Sequence, residues 1–223
     1  MKKVLILSDS LSLPRLHPEI VRSEQTWPFL LRSAYPHVYF HQIALGGGLM
    51  RDIRSQMAYQ RHLRPELVIA QLGIVDCAPR ALRKTEQFFV SEYRIIGKIA
   101  RRILPRLAPF LRKHRRIVYT SPWQFEQEIG IIQGQFGGVP VFWIGIIPAR
   151  PGYEERVPGI SENIARYNRI IQKNLPHGFI GMDHMPDEGI MSDHHHLNKT
   201  GHRYIFGKVK QKVHLHLVCK QTA

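Results

Sequence analysis

The sequence predicts an α/β fold in which a parallel sheet is covered by helices on both faces. Two observations predict it. Short apolar runs alternate with longer stretches of helical period along the chain, and the runs are bounded by polar residues, Gly or Pro, as buried strands are. A third, the length of 223 residues, suits one domain with one core. The expectation is therefore a single three-layer α/β/α domain spanning residues 1–223, with a parallel sheet of about five strands.

The strand candidates are Val4–Leu7, Val38–Ala44, Leu67–Leu72, Ile117–Thr120, Val139–Ile146 and Phe179–Met182, each rich in β-branched or aromatic residues. Helical periodicity falls between them, over Ile20–Ala34, Leu49–His62, Phe88–His114, Gln124–Gln135, Ser161–Asn174 and Thr200–Val218. The third of these contains a basic amphipathic run, Arg94 to Arg116, with no acidic residue and with Ile and Leu at helical spacing. Pro105 and Pro109 are expected to kink or divide it, because each removes a backbone donor and clashes with the preceding turn. Its first reading is a helix whose apolar face packs on the sheet; its second is an interfacial or polyanion-binding surface.

Hydrophobic residues at 43% and charged residues at 22% exclude disordered, collagen-like and coiled-coil chains. No window approaches the ~20 apolar residues of a membrane span. The apolar run after Lys3 is too short for a secretory signal, so the expected location is the cytoplasm, with peripheral membrane contact the only membrane association left. Cys77 and Cys219 allow at most one disulfide, and both read as structural thiols. The charge is the unusual quantity. Thirty-two Lys and Arg against 17 Asp and Glu leave a formal +15, which attracts anionic partners: nucleic acid, an acidic polysaccharide or a membrane surface. The chain carries none of the recognition motifs of helix-turn-helix, zinc-finger or RNA-binding folds, so nucleic acid is not the expected partner.

In parallel α/β sheets ligands bind beyond the carboxyl ends of the strands, so the loops after strands are where chemistry is sought. The first strand runs into Ser8-Asp9-Ser10-Leu11-Ser12, which puts a serine at the mouth of the sheet. Taken alone, those residues are also what turns a chain and caps a helix. Near the other end, Asp193-His194-His195-His196 sets a carboxylate three residues before a histidine. A serine hydroxyl needs a base to take its proton, and the base needs an acceptor on its second nitrogen; His196 and Asp193 supply both. The order Ser, Asp, His is one in which such triads occur. Three consecutive histidines also suit zinc, but no Cys, His or Asp set at ligand spacing accompanies them, so no metal and no cofactor is expected.

With these residues in place, the chain resembles the SGNH/GDSL hydrolase superfamily of serine esterases over nearly its whole length. Ser8-Asp9-Ser10-Leu11 is similar to the first block, Gly-Asp-Ser-Leu, with Ser10 as the nucleophile. Gly46-Gly47-Gly48 is similar to the second, whose glycine N–H joins the oxyanion hole; Gly46 is the first choice and Gly47 the second. Gly73-Ile74-Val75-Asp76 is similar to the third, Gly-X-Asn-Asp, and Asp193-His194-His195-His196 to the fifth, Asp-X-X-His. Two positions depart from the pattern. Ser8 stands where the family has glycine, and Val75 where it has the asparagine that donates to the oxyanion. A valine cannot donate, and one such donor is worth ~2.7–4 kcal/mol. Gln71 and Arg80 are the nearby candidates to replace it.

The resemblance implies a flavodoxin-like arrangement and an ester hydrolase or acyltransferase. Its triad would be Ser10, His196 and Asp193, with Ser10, Gly46 and Gly47 around the oxyanion. A carbohydrate ester is the implied substrate, and the positive charge points to an anionic polysaccharide or its precursor. The alternative is a weakly active or non-catalytic relative that binds an anionic polymer through its basic surface, which Val75 favours and an intact Ser10, Asp193 and His196 disfavour.

Overall fold

A computed structural model describes residues 1–217; Val218 and Cys219 lie outside them. Five strands form one parallel sheet: β1 (Lys2–Ser8), β2 (Val38–Ala44), β3 (Leu67–Gln71), β4 (Val141–Ile144) and β5 (Phe179–Ile180). Their order across the sheet is β2-β1-β3-β4-β5, the flavodoxin-like doubly wound order. Every residue of β3 is buried, which requires cover on both faces. The helices that supply it fall into two packed groups. One is α1 (Trp27–Ala34) with α9 (Lys199–Leu217); the other is α2 (Met50–Met57), α6 (Pro122–Gln135) and α8 (Ile160–Asn174). Trp27, Trp143, Tyr167 and Phe125 are the largest side chains closed off from solvent.

The register explains where the site forms. Ser8 lies opposite Ala44 on β2 and Gln71 on β3, so these three strands end level. The segments that follow them, Asp9–Ser10, Leu45–Leu49 and Leu72–Ile74, therefore emerge side by side. Gly73 opens the next helix, α3 (Ile74–Cys77), at φ +127°, and an added Cβ would stand 2.8 Å from Ile146 Cδ1, so only glycine fits this turn.

Several expectations need correction. Ile117–Thr120 is not a strand. The place beside β3 is taken by β4, and the Ile117 carbonyl instead accepts from Arg80 N at 2.7 Å in an isolated antiparallel bridge. A four-residue apolar run has the propensity for a strand but cannot specify which edge it pairs with. The first helix begins at Trp27, not Ile20, because Pro28 suits the first turn of a helix and an extended Thr26 precedes it. Phe88–His114 is divided, but at Tyr93 and not at its prolines: α4 (Lys84–Glu92) ends there, and α5 (Arg94–Arg115) runs on through Pro105 and Pro109. Those two stand four residues apart, so the backbone bonds they remove lie on one stripe and the rest of the ladder remains. The elements that α5 packs on most are α4 and α7 (Pro151–Arg156). Ile103, Leu107 and Phe110 are exposed on it. Cys77 is a free buried thiol. No helix among the described residues is long and apolar enough to cross a membrane.

Candidate active site

Asp9 stops β1 and begins a 3₁₀ turn, Ser10–Ser12, by accepting the Leu11 N–H on Oδ1 at 2.9 Å. The turn sorts the three serines. Ser8 and Ser12 are buried and hydrogen-bonded to each other at 2.6 Å, while Ser10 faces a cleft of about 750 Å³ beyond the sheet edge. Asp9 itself is enclosed, and burial, with the nearby charge of Asp76 adding to it, pushes its pKa up to about 7.

The opposite wall is the loop before α9. Asp193 Oδ1 accepts the backbone N–H groups of His195 (3.2 Å) and His196 (3.0 Å), and its Oδ2 accepts the hydrogen bond from His196 Nδ1–H at 2.6 Å. Burial pushes the Asp193 carboxyl up, but the bonds from the His196 backbone, the His196 ring and the His195 backbone outweigh it and hold the pKa at about 2. An ionised acceptor on Nδ1 puts the imidazole proton there and leaves Nε2 as the free acceptor. Nε2 lies 3.3 Å from Ser10 Oγ. Burial lowers the His196 pKa below its ordinary 6.5, against the pull of Asp193, so the ring is neutral at physiological pH.

The neighbouring histidines are placed differently. His195 stacks on Tyr153, centroids 5.0 Å apart and planes 9° apart, and burial followed by the charge of His196 pushes its pKa to about 4. His194 sits in the left-handed region at φ +70°, its ring packed where a Cβ on Gly152 would otherwise be. Ligand atoms of Asp193, His195 and His196 lie within 4.8 Å of one another, a spacing a metal ion could use. In this arrangement the closest pair of those groups is already spent on the 2.6 Å hydrogen bond.

The glycine segment after β2 forms the third side. Gly46 and Gly47 both line the cleft, and Gly47 adopts φ +69°, a left-handed turn that favours glycine. Among the described residues none accepts the backbone N–H of Ser10, Gly46 or Gly47. Asp76 holds this segment in place. Fully buried, it accepts the Met50 N–H at 3.2 and 3.3 Å and the Thr120 hydroxyl at 2.5 Å; burial raises its pKa to about 6. Thr120 was not legible as a site residue, since a threonine closing an apolar run carries no chemical signal of its own.

Val75 lines the cleft. Of the two candidate replacements, Gln71 is buried under Trp27, whose Nε1 donates to it at 2.6 Å, and it does not line the cleft. Arg80 does line it and donates through Nη2 to the Val75 carbonyl at 2.8 Å. Tyr167 and Asn168 are packing residues: the Tyr167 hydroxyl donates to the Thr120 carbonyl, and Asn168 clasps both backbone groups of Ile146.

No family model matches the chain, and no curated protein matches its sequence. Solved structures do. The lipase/acylhydrolase from Enterococcus faecalis superposes with a TM-score of 0.66 at 13% identity, covering 96% of this chain and 95% of that one. A G-D-S-L family protein from Desulfitobacterium hafniense DCB-2 gives 0.59 at 14% identity, covering 95% and 99%. The chain has the SGNH/GDSL hydrolase fold. The acetylxylan esterase Axe2 from Geobacillus stearothermophilus, at 0.59 and 14% identity over 95% and 94%, is similar to it as well. Within the SGNH/GDSL fold the loops after β1, β2 and β3 and the loop before α9 are the parts that meet at the cleft described above.

Proposed function

We propose that the protein is a serine esterase or acyltransferase that acts on an ester-linked acyl group of a carbohydrate. The observation that carries this reading is the continuous chain from Ser10 Oγ to His196 Nε2 (3.3 Å) and from His196 Nδ1 to Asp193 (2.6 Å), open to a cleft at the sheet edge. Ser10 Oγ attacks the carbonyl carbon as its proton passes to His196 Nε2, and Asp193 stabilises the imidazolium. The oxyanion receives the unengaged N–H groups of Ser10 and of Gly46 or Gly47. Collapse expels the alcohol, which takes the proton from His196 and leaves an acyl-enzyme on Ser10. Water or an acceptor hydroxyl then reverses the sequence, with His196 as base. Likeness to an acetylxylan esterase supports a carbohydrate ester as the substrate class.

The test is incubation with a short-chain nitrophenyl ester and with a fluorophosphonate probe, followed by mass spectrometry of the labelled peptide. The expected result is turnover and a label on Ser10 that Ser10→Ala abolishes, while Ser8→Ala and Ser12→Ala keep it. Labelling that persists in Ser10→Ala, or a folded wild type that neither labels nor turns over, overturns the reading.

A further inference from the structure

The cleft is lined by four cations, Arg15, Arg80, Lys84 and Arg112, and by a single acid, Asp52. Asp52 is committed elsewhere, accepting the Leu49 N–H at 3.0 Å where α2 begins. Among the described residues none of the four cations has a carboxylate partner. Carboxylate partners are instead given to arginines outside the cleft. Arg115 grips Glu86 through both terminal nitrogens at 2.6 and 2.7 Å, Arg54 meets Glu128 at 2.6 Å, and Arg150 pairs with Asp187.

Arg80 and Arg112 are held in place without being neutralised. Arg80 gives Nη2 to the Val75 carbonyl, and its guanidinium lies over the Tyr119 ring, 4.8 Å from the centroid. Arg112 gives Nη1 to the Arg156 carbonyl at 2.5 Å. Each Nε is buried and has no hydrogen-bond partner. Both guanidinium groups line the same cleft, and burial, followed by the positive charge of Arg80, lowers the Arg112 pKa. Two part-buried positive charges held in one cleft without a carboxylate cost stability unless something anionic joins them. A planar fork of donors is the group that best matches the oxygens of a carboxylate or phosphate.

We propose that Arg80 and Arg112 form an anion subsite that binds a carboxylate or phosphate on the ester substrate beside Ser10. The proposal deepens the esterase reading and rests on it for the word substrate; the subsite itself is a statement about binding. It gives the cleft a preference for acylated acidic sugars over neutral ones, with Arg15 and Lys84 adding long-range attraction at the rim.

The experiment is calorimetric titration of the wild type with glucuronate, with glucose 6-phosphate and with glucose, the first two separating carboxylate from phosphate. At least one anionic sugar is expected to bind ten-fold or more tighter than glucose. Arg80→Gln and Arg112→Gln should each remove most of that difference. Because either variant could unfold, phenylglyoxal labelling of the wild type provides a second measurement: the bound anion should protect Arg80 and Arg112 from modification, and glucose should not. Equal binding of all three sugars, anion binding unchanged in folded Gln variants, or labelling of the two arginines unaffected by anion overturns the subsite. If the anion binds and protects while nitrophenyl ester turnover and fluorophosphonate labelling are absent, the esterase reading fails and the subsite stands.

Discussion

At the scale of single residues, selection among like side chains is done by their hydrogen bonds. Ser8 and Ser12 satisfy one another, which leaves Ser10 to the cleft, and Asp193 reaches the His196 ring while His195 stacks on Tyr153. Burial lowers the His196 pKa below 6.5, and a general base works only when neutral, so kcat/KM is expected to rise with pH through a limb below 6.5. From about pH 7 upward it should be flat, and a pH–rate profile measures this directly. In the proposed esterase Val75 stands where the resemblance puts a donating asparagine. Val75→Asn should raise kcat, by up to the ~100–1000-fold that one oxyanion donor is worth. A folded, equally stable variant that turns over no faster would mean that the hole is already complete without it. Sequence made Val75 visible as a missing amide; it could not tell that Gln71 is enclosed under Trp27 and Arg80 is turned toward the Val75 carbonyl.

Elements matter through their ends. The glycine segment has few internal bonds, and its position depends on Asp76 in α3 accepting the first N–H of α2, with Thr120 completing the carboxylate's shell. Asp76→Ala leaves that N–H and the Thr120 hydroxyl buried without an acceptor, a loss of about 1–3 kcal/mol. It should lower the melting temperature and reduce kcat more than it raises KM, because the loop that surrounds the oxyanion loses its anchor. Thr120→Val keeps the Asp76–Met50 bonds and should show a smaller drop in both. Equal kcat in a folded Asp76→Ala variant would separate this anchor from the chemistry. The helices also mark a limit of periodicity. Residues from Phe88 to His114 keep one helical rhythm, but the break falls at Tyr93, whose extended backbone lets α4 and α5 pack on each other.

For the whole molecule, pH acts through several buried groups at once. Asp9 keeps its proton to about pH 7 in the folded state but releases it near 3.8 when unfolded, so its contribution to stability falls as pH rises between those values. Asp76 acts in the same direction up to about 6. His195 and His202 oppose them: burial holds both neutral down to about pH 4, where the unfolded chain is already protonated below 6.5, so their contribution rises with pH in that window. Wild-type stability should therefore change little between these limits, and a variant is needed to expose one term. Asp9→Asn, relative to wild type, should be neutral near pH 4 and increasingly stabilising toward pH 8, measured by calorimetric melting at both ends. A difference that does not grow with pH would mean that Asp9 ionises in the folded protein as readily as in the unfolded chain.

The sequence by itself determined the class of fold and the order of its parts, because strand and helix periods are written in adjacent residues and the solvent-facing pattern decides them. It also made the Asp193–His196 pairing legible, since a spacing of three residues lets a carboxylate reach the ring, as it does at 2.6 Å. Tertiary structure decided what depends on residues far apart in the chain. Ser10 and His196 are 186 positions apart, and they meet only because the loop before α9 folds back against the turn after β1. Tertiary structure also enclosed Gln71, gave the place beside β3 to β4 and not to Ile117–Thr120, and put Arg80 and Arg112 into one cleft. Composition counted a formal charge of +15; only the fold placed part of that charge inside the cleft that holds Ser10.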